Sequence, residues 1–186
     1  MTLFDLQTKR TAACNATKRI KREKNMKFKL ASKNMLNDIY KLYEKRIEWM
    51  EQNNIKAWNV RNYLETYPKE YFSKQIQKER LYVLTNNNKI IGSLVLLETD
   101  PRWGDNKGKE YYIHNLVSDI NYKGLGPQLL SEVQNLAKEN GKTKVRLDCA
   151  IDNPKLNKYY ETLGFKYVGK CQDGLYQGIK REKKVN

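Results

Sequence analysis

The chain has 186 residues, with 36 lysines and arginines against 21 aspartates and glutamates and a formal charge of +15. That length is most simply one domain with a substantial core; the longest apolar run, 90–97, is strand-sized, so no membrane span is expected. A single histidine, His114, excludes any mechanism that needs two imidazoles.

Cys14, Cys149 and Cys171 lack paired metal-ligand spacing, and an odd number argues against a full disulfide framework. A reducing cytoplasm is the expected location, with no metal. Residues 1–25 hold seven cations against Asp5 and Glu23, so +5 sits there and +10 in the remainder. This segment lacks sustained periodicity and has no apolar stretch of the signal-peptide kind. It reads as a basic extension, 1–25, with Met26 as the expected natural start and 26–186 as the domain. A basic arm that grips a polyanion is the alternative.

From Met26 the elements follow in order. Residues 27–30 read as a short strand, and Ser32 as the cap of a helix whose apolar positions Leu36, Ile39, Tyr40, Tyr43, Ile47 and Met50 recur at helical spacing. Asn53 and Asn54 close it. A second helical region, about 60–78, is split near Pro68. Strands 81–85 and 89–98 flank Asn86-Asn87-Asn88, residues that tolerate positive φ, and form a hairpin. The polar loop 100–109 precedes the central strand and reads as a rim or lid.

Strand 111–118 runs into Gly124-Leu125-Gly126, and helix 127–140 follows with Leu129, Leu130, Val133, Leu136 and Ala137 on one face. Pro127 suits its first turn. A glycine turn between strand and helix exposes backbone N–H groups that can hold a phosphate. Strand 144–151 puts Val145, Leu147 and Cys149 on one face; Asn153-Pro154 breaks it. Helix 154–163 then carries Leu156, Tyr159, Tyr160 and Leu163, and Gly164-Phe165 ends it. A last hairpin, 165–170 and 175–181, turns at Gln172-Asp173-Gly174.

This arrangement resembles the GCN5-related N-acetyltransferase (GNAT) family over about residues 26–181. Gly124-Leu125-Gly126 is similar to the end of the family's Gln/Arg-x-x-Gly-x-Gly/Ala pyrophosphate turn. Asn153, followed seven residues later by Tyr160 and then by Gly164-Phe165, is similar to its second half. Read without gaps, the Gln/Arg position falls on Asn121; a loop two residues shorter puts Lys123 there and supplies a cation beside the phosphates.

The resemblance implies an α/β domain of the α+β type, with a mixed, splayed sheet of six to seven strands flanked by helices. It implies acetyl-CoA as co-substrate and direct acetyl transfer to a primary amine in a ternary complex. Leu116, Val117, Ser118, Lys123, Gly124, Leu125, Gly126, Pro127, Gln128, Asn153 and Tyr160 are the implied cofactor-binding residues, with Tyr160 protonating the departing thiolate. His114 is the candidate base, since imidazole titrates near neutrality; Glu98, Asp100, Glu110 and Asp119 are rivals at neighbouring strand ends. Cys149 reads as a buried structural thiol. Asp148 is a candidate for fixing the strand end or the acceptor amine. Tyr63, Tyr67, Tyr71, Trp58 and Trp103 are candidates for an aromatic acceptor wall.

A small-molecule amine is the favoured acceptor, a protein amine the other choice, and a homodimer stays open. The pocket between Pro68, the 100–109 loop and His114 is expected to be mildly acidic. Two competing readings remain: a family member that binds CoA without turnover, and a basic nucleic-acid-binding protein. The second needs lysines and arginines gathered on one face, and the sequence shows no such gathering, so nucleic acid is not expected as partner.

Overall fold

Every strand expected from the sequence finds a place in one seven-stranded sheet. The computed structural model describes residues 25–60, 62–104 and 107–185. The basic extension, apart from Asn25, therefore lies outside the described residues, as do residues 105 and 106 of the rim loop. The strands are β1 (Met26–Leu30), β2 (Leu81–Asn86), β3 (Lys89–Leu97), β4 (Glu110–Ser118), β5 (Lys144–Ala150), β6 (Lys166–Asp173) and β7 (Tyr176–Lys184). Their order is β1-β2-β3-β4-β5-β7-β6, and β4 with β5 is the parallel pair among antiparallel neighbours.

Five helices cover this sheet: α1 (Leu36–Gln52), α2 (Tyr63–Thr66), α3 (Lys69–Gln77), α4 (Leu125–Glu139) and α5 (Pro154–Thr162). Two apolar layers result, one on each face. On one, α1 and α3 lay Ile39, Leu42, Tyr43 and Phe72 on Leu81, Val83 and Val95. On the other, α4 lays Leu129, Leu130, Val133 and Ala137 on Leu84, Ile91, Val145 and Leu147. Along β2 the sides alternate, Leu81 and Val83 facing one layer and Tyr82 and Leu84 the other. A run such as 90–97 is uncharged throughout, with Ser93 its one polar side chain, because both its faces are covered. Each fully buried Leu or Ile of this kind stabilises the fold by roughly 1.5–3 kcal/mol. No helix among the described residues is long and apolar enough to cross a membrane.

Several boundaries differ from expectation for local reasons. Ser32 opens a short 3-10 turn, Lys33–Met35, its hydroxyl bonding Asn34 instead of a helical N–H, so α1 proper starts at Leu36. Pro68, extended at ψ 171°, separates α2 from α3 as expected. Asn87 and Asn88 take φ 47° and 66°, the mirror-image turn that joins twisted strands tightly. Helix α4 begins at Leu125, two residues early, because Gly124 in the left-handed region (φ 80°) caps it. The last hairpin is longer than expected and turns at Gly174 and Leu175, since register pairs Asp173 with Tyr176.

Candidate functional site

The site is built where β4 parts from β5. Their parallel pairing covers Glu110–Ile113 on β4 against Lys144–Leu147 on β5 and goes no further. On the other side β4 pairs with β3, with a bulge: Val95 faces His114 and Ser93 faces Val117. Asn115, at φ 52°, takes up the extra residue. Three tyrosines hold that bulge. Tyr43 Oη donates to Asn115 O at 2.6 Å, Tyr71 Oη to Asn115 Oδ1 at 3.0 Å, and Asn115 Nδ2 donates to Tyr63 Oη at 2.7 Å.

Beyond the bulge one edge of β4 is left open. Asp119 N–H donates to Ile91 O at 2.8 Å. Antiparallel alternation then turns the main-chain groups of Ser118 and Leu116 away from β3, and those of Val117 toward it. Leu116 thus offers its C=O and Ser118 its N–H to a ligand lying along the opening, the Ser118 C=O accepting from Arg46, whereas Val117, 1% exposed, serves the core. At the end of this edge stands the turn Lys123-Gly124, both exposed, followed by Leu125, Gly126, Pro127 and Gln128 in the first turn of α4. Leu125 is buried and anchors the turn from below. A Cβ at Gly126 would stand 2.5 Å from Tyr159 Oη, so the backbone there comes close to α5.

Asn153 caps α5 by accepting from Leu156 N at 3.0 Å, with Pro154 in the first turn. That cap aims Tyr160 inward. It is 8% exposed, packed edge-on to Phe165 at 5.8 Å, and burial, with Cys149 next, holds its hydroxyl well above the ordinary phenol value. Such a phenol stays protonated and can donate to a thiolate. Cys149, whose thiol burial pushes up to about 11, donates to Asn157 Oδ1 at 3.1 Å and is structural.

At the other end of the opening His114 meets the rim loop. Asp100 caps the short 3-10 turn Pro101–Trp103, and its Oδ2 lies 3.0 Å from His114 Nε2. Arg102 Nη2 stands 2.9 Å from Asp100 Oδ2, 3.0 Å from Asp148 Oδ1 and 3.2 Å from each ring nitrogen of His114. Tyr176 Oη donates to Asp148 Oδ2 at 2.6 Å. Burial opposes ionisation of Asp100. The hydrogen bond to His114 and the hydrogen bonds and charge of Arg102 outweigh it and hold that carboxyl well below the usual range. A group equidistant from both imidazole nitrogens lies off both in-plane lone-pair axes, because those axes diverge. With Asp100 on Nε2, Nδ1 is the ring nitrogen that keeps a lone pair, and the Arg102 guanidinium stands 3.2 Å from it.

The rivals to His114 have other partners. Glu98 pairs with Lys142 at 3.4 Å, Glu110 accepts from Lys109 N at 3.1 Å, and Asp119 pairs with Lys89 at 3.3 Å. Asp100 alone of the four joins the histidine. Trp58, Tyr63, Tyr67 and Tyr71 form a continuous chain of ring contacts, whereas Trp103 packs on Tyr112 and takes Arg146 on its face. Trp103 is thus not part of that wall. Arg102, Asn115 and Tyr176 carry no mark of site residues in the sequence. The one signal there, Asp-Pro-Arg as a capped turn start, fixes a local turn and not a reach to Asp148 across 46 residues.

A mixed sheet that opens beside a bulged strand, with a glycine-capped helix at one end and a histidine–carboxylate pair at the other, has the form of a group transferase that threads its donor between two strands. The family model described as "Acetyltransferase (GNAT) family" matches residues 40–165, and the chain belongs to that family. A curated relative, the uncharacterized N-acetyltransferase YesJ of Bacillus subtilis (strain 168), is 23% identical over 137 residues, covering 69% of this chain and 75% of its own length. Among solved structures, a GNAT-family acetyltransferase of Listeria monocytogenes 4b F2365 superposes with TM-score 0.71 at 19% identity, covering 86% of this chain and 95% of the other. The PaiA N-acetyltransferase of Thermoplasma acidophilum, solved with coenzyme A, superposes with TM-score 0.67 at 18% identity over 86% of this chain and 98% of that one.

Proposed function

We propose that this protein transfers the acetyl group of acetyl-CoA directly to the primary amine of a small molecule. The observation that carries the reading is the His114–Asp100 contact of 3.0 Å placed at the mouth of the open β4 edge. The diphosphate sits on the N–H groups of Gly124, Leu125 and Gly126, where the start of a long helix favours negative charge and Pro127 has no N–H to give. The pantetheine arm lies along the main chain of Leu116 and Ser118. Asn153 holds α5 so that Tyr160 faces the sulfur.

Chemistry then needs two proton movements. An ammonium has no lone pair, so His114 Nδ1 takes a proton from the acceptor, with Asp100 fixing the ring by its hold on Nε2. The amine nitrogen attacks the thioester carbon, the C–S bond breaks as the amide C–N bond forms, and the second proton of the nitrogen passes to the thiolate by way of Tyr160, whose phenol gives its proton to the sulfur and takes up the one the nitrogen sheds. Orientation of two bound reactants supplies much of the acceleration. Around Tyr67, two carboxylates, Asp100 and Asp148, face one guanidinium, that of Arg102, and Asp173 adds to them. That balance favours a singly cationic amine carrying an apolar or aromatic body, which the Tyr67 and Tyr71 rings can cover.

Coenzyme A release measured by thiol trapping against a panel of primary amines tests the reading; a protein that binds CoA yet turns over none of them overturns it in favour of a non-catalytic member. Two substitutions separate the halves of the site. Gly124→Val asks a β-branched residue to sit at φ 80°, a strain of about 1–2 kcal/mol, so the turn relaxes and CoA affinity falls about tenfold. Tyr160→Phe keeps the packing and the affinity for CoA but slows turnover about 10²-fold. Equal turnover by the Phe variant removes the tyrosine from the mechanism.

A further inference from the structure

We propose that Arg46 of α1 is a binding residue for the cofactor's diphosphate, an inference that rests on the acyl-CoA reading of the open edge and glycine turn. Arg46 crosses from α1 to the end of β4, where its Nη2 donates to Ser118 O and lies 3.1 Å from Ser118 Oγ. Because Asp119 N–H is committed to Ile91 O, the Ser118 carbonyl points into the opening. The guanidinium therefore stands on the open edge, one residue before the loop that leads to Gly124.

Its surroundings call for an anion. Burial lowers the proton affinity of this half-buried side chain, and Asp119 acts against that effect. Yet no carboxylate among the described residues stands within ion-pair distance of Arg46. Asp119 itself is taken by Lys89 at 3.3 Å and by the N–H and Nδ2 of Asn121 at 2.9 and 3.0 Å. Among the described residues the hydrogen bonds of Arg46 run through Nη2, and the ring of Trp49, 5.1 Å from Cζ, steadies the group. Nε and Nη1 keep donors in fixed fork geometry, which suits phosphate oxygens.

The charge count agrees. With Asp119 matched by Lys89, Arg46 at the end of β4 and the exposed Lys123 in the loop after it supply two cations against the two negative charges of a diphosphate. Asn121 adds no charge. The cation beside the phosphates is thus brought from the opposite face of the sheet, by a helix 72 residues away in sequence from the strand end it touches.

The full chain carrying Arg46→Gln is compared with wild type using acetyl-CoA, acetyl-dephospho-CoA and S-acetylpantetheine as donors, with calorimetric affinity for CoA alongside. The expected result is a loss of about tenfold in kcat/KM for the two donors that carry the diphosphate, and no change for the pantetheine donor. An equal fall for all three overturns the proposal, since it marks Arg46 as a support for Ser118 only; no fall for any overturns it too. A loss confined to acetyl-CoA assigns Arg46 to the 3′-phosphate and overturns the diphosphate assignment. Wild type that takes up no CoA sinks the acyl-CoA reading itself, a different outcome. Should Arg46→Gln fail to fold, Arg46→Lys, which keeps the charge but lacks the planar fork, is read by the same donor pattern.

Discussion

His114→Gln lowers kcat by about 10²–10⁴-fold, the span expected for losing a positioned general base, and leaves affinity for CoA at the wild-type value. The reason is geometric. Glutamine can donate to Asp100 Oδ2 from its amide nitrogen, as His114 Nε2 does at 3.0 Å, so the buried carboxylate is not orphaned and the rim turn keeps its place. What glutamine lacks is a basic nitrogen to take up the proton. The groups proposed to bind CoA, on the Leu116–Ser118 edge and the Gly124 turn, lie beyond the bulge at Asn115 and do not feel the change. Steady-state thiol release gives kcat and calorimetry gives the affinity. Turnover within a few-fold of wild type removes His114 from proton transfer and leaves Asp148, the other carboxylate of the cluster, as the group to examine; a parallel loss of CoA affinity means that the substitution disturbed β4.

The part of this site that follows one continuous stretch of chain is legible in the amino-acid sequence. Strand, glycine turn and helix from Glu110 to Glu139 are written in local terms: an apolar run, a residue that accepts positive φ, a proline in the first helical turn and apolar positions at helical spacing. The Asn87-Asn88 hairpin and the break at Pro68 are local in the same sense. The cluster proposed to be catalytic is not. Asp100 is one of four carboxylates near strand ends, and nothing in its sequence neighbours distinguishes it from Glu98, which is 66% exposed at its side chain and pairs with Lys142 instead. Arg102 binds Asp148 only because β4 and β5 lie side by side and the rim turn folds over both.

The placement of Asn115 shows the same limit. A lone asparagine in a strand pattern carries no mark of a bulge, since the bulge is fixed by register on β3 and by three phenols arriving from α1, α2 and α3. Trp103 fails for the converse reason. Its position in the rim loop suggests the acceptor wall, but Arg146, paired to Glu182 at 2.8 Å, and Lys180 offer it two cationic faces away from the tyrosines.

The other large effect is on stability, at Arg102. Its guanidinium lies between Asp100 and Asp148, whose side chains are 4% and 8% exposed. Burial alone would weaken its hold on its proton; the hydrogen bond to Asp100 and the charges of Asp148 and Asp100 more than reverse this. Arg102→Leu leaves two carboxylates with little solvent and without their shared cation. Removing one partner of a buried pair costs about 3–5 kcal/mol, a fall in Tm on the order of 10 °C for a chain of this size. The pH dependence has a definite sign. Asp100 has its folded value depressed below an unfolded value of about 3.9, so the wild-type contribution is whole above about pH 4 and is lost as pH falls toward the folded value. In the variant that depression shrinks, because the hydrogen bonds and charge of Arg102 are gone while burial still opposes ionisation. The gap in Tm between the two proteins is therefore largest near neutrality and narrows below about pH 4. Thermal unfolding from pH 3 to 8 measures it. Equal Tm values at pH 7, or a gap that widens in acid, would mean that the carboxylates are held by groups other than Arg102, such as Tyr176 on Asp148 and His114 on Asp100.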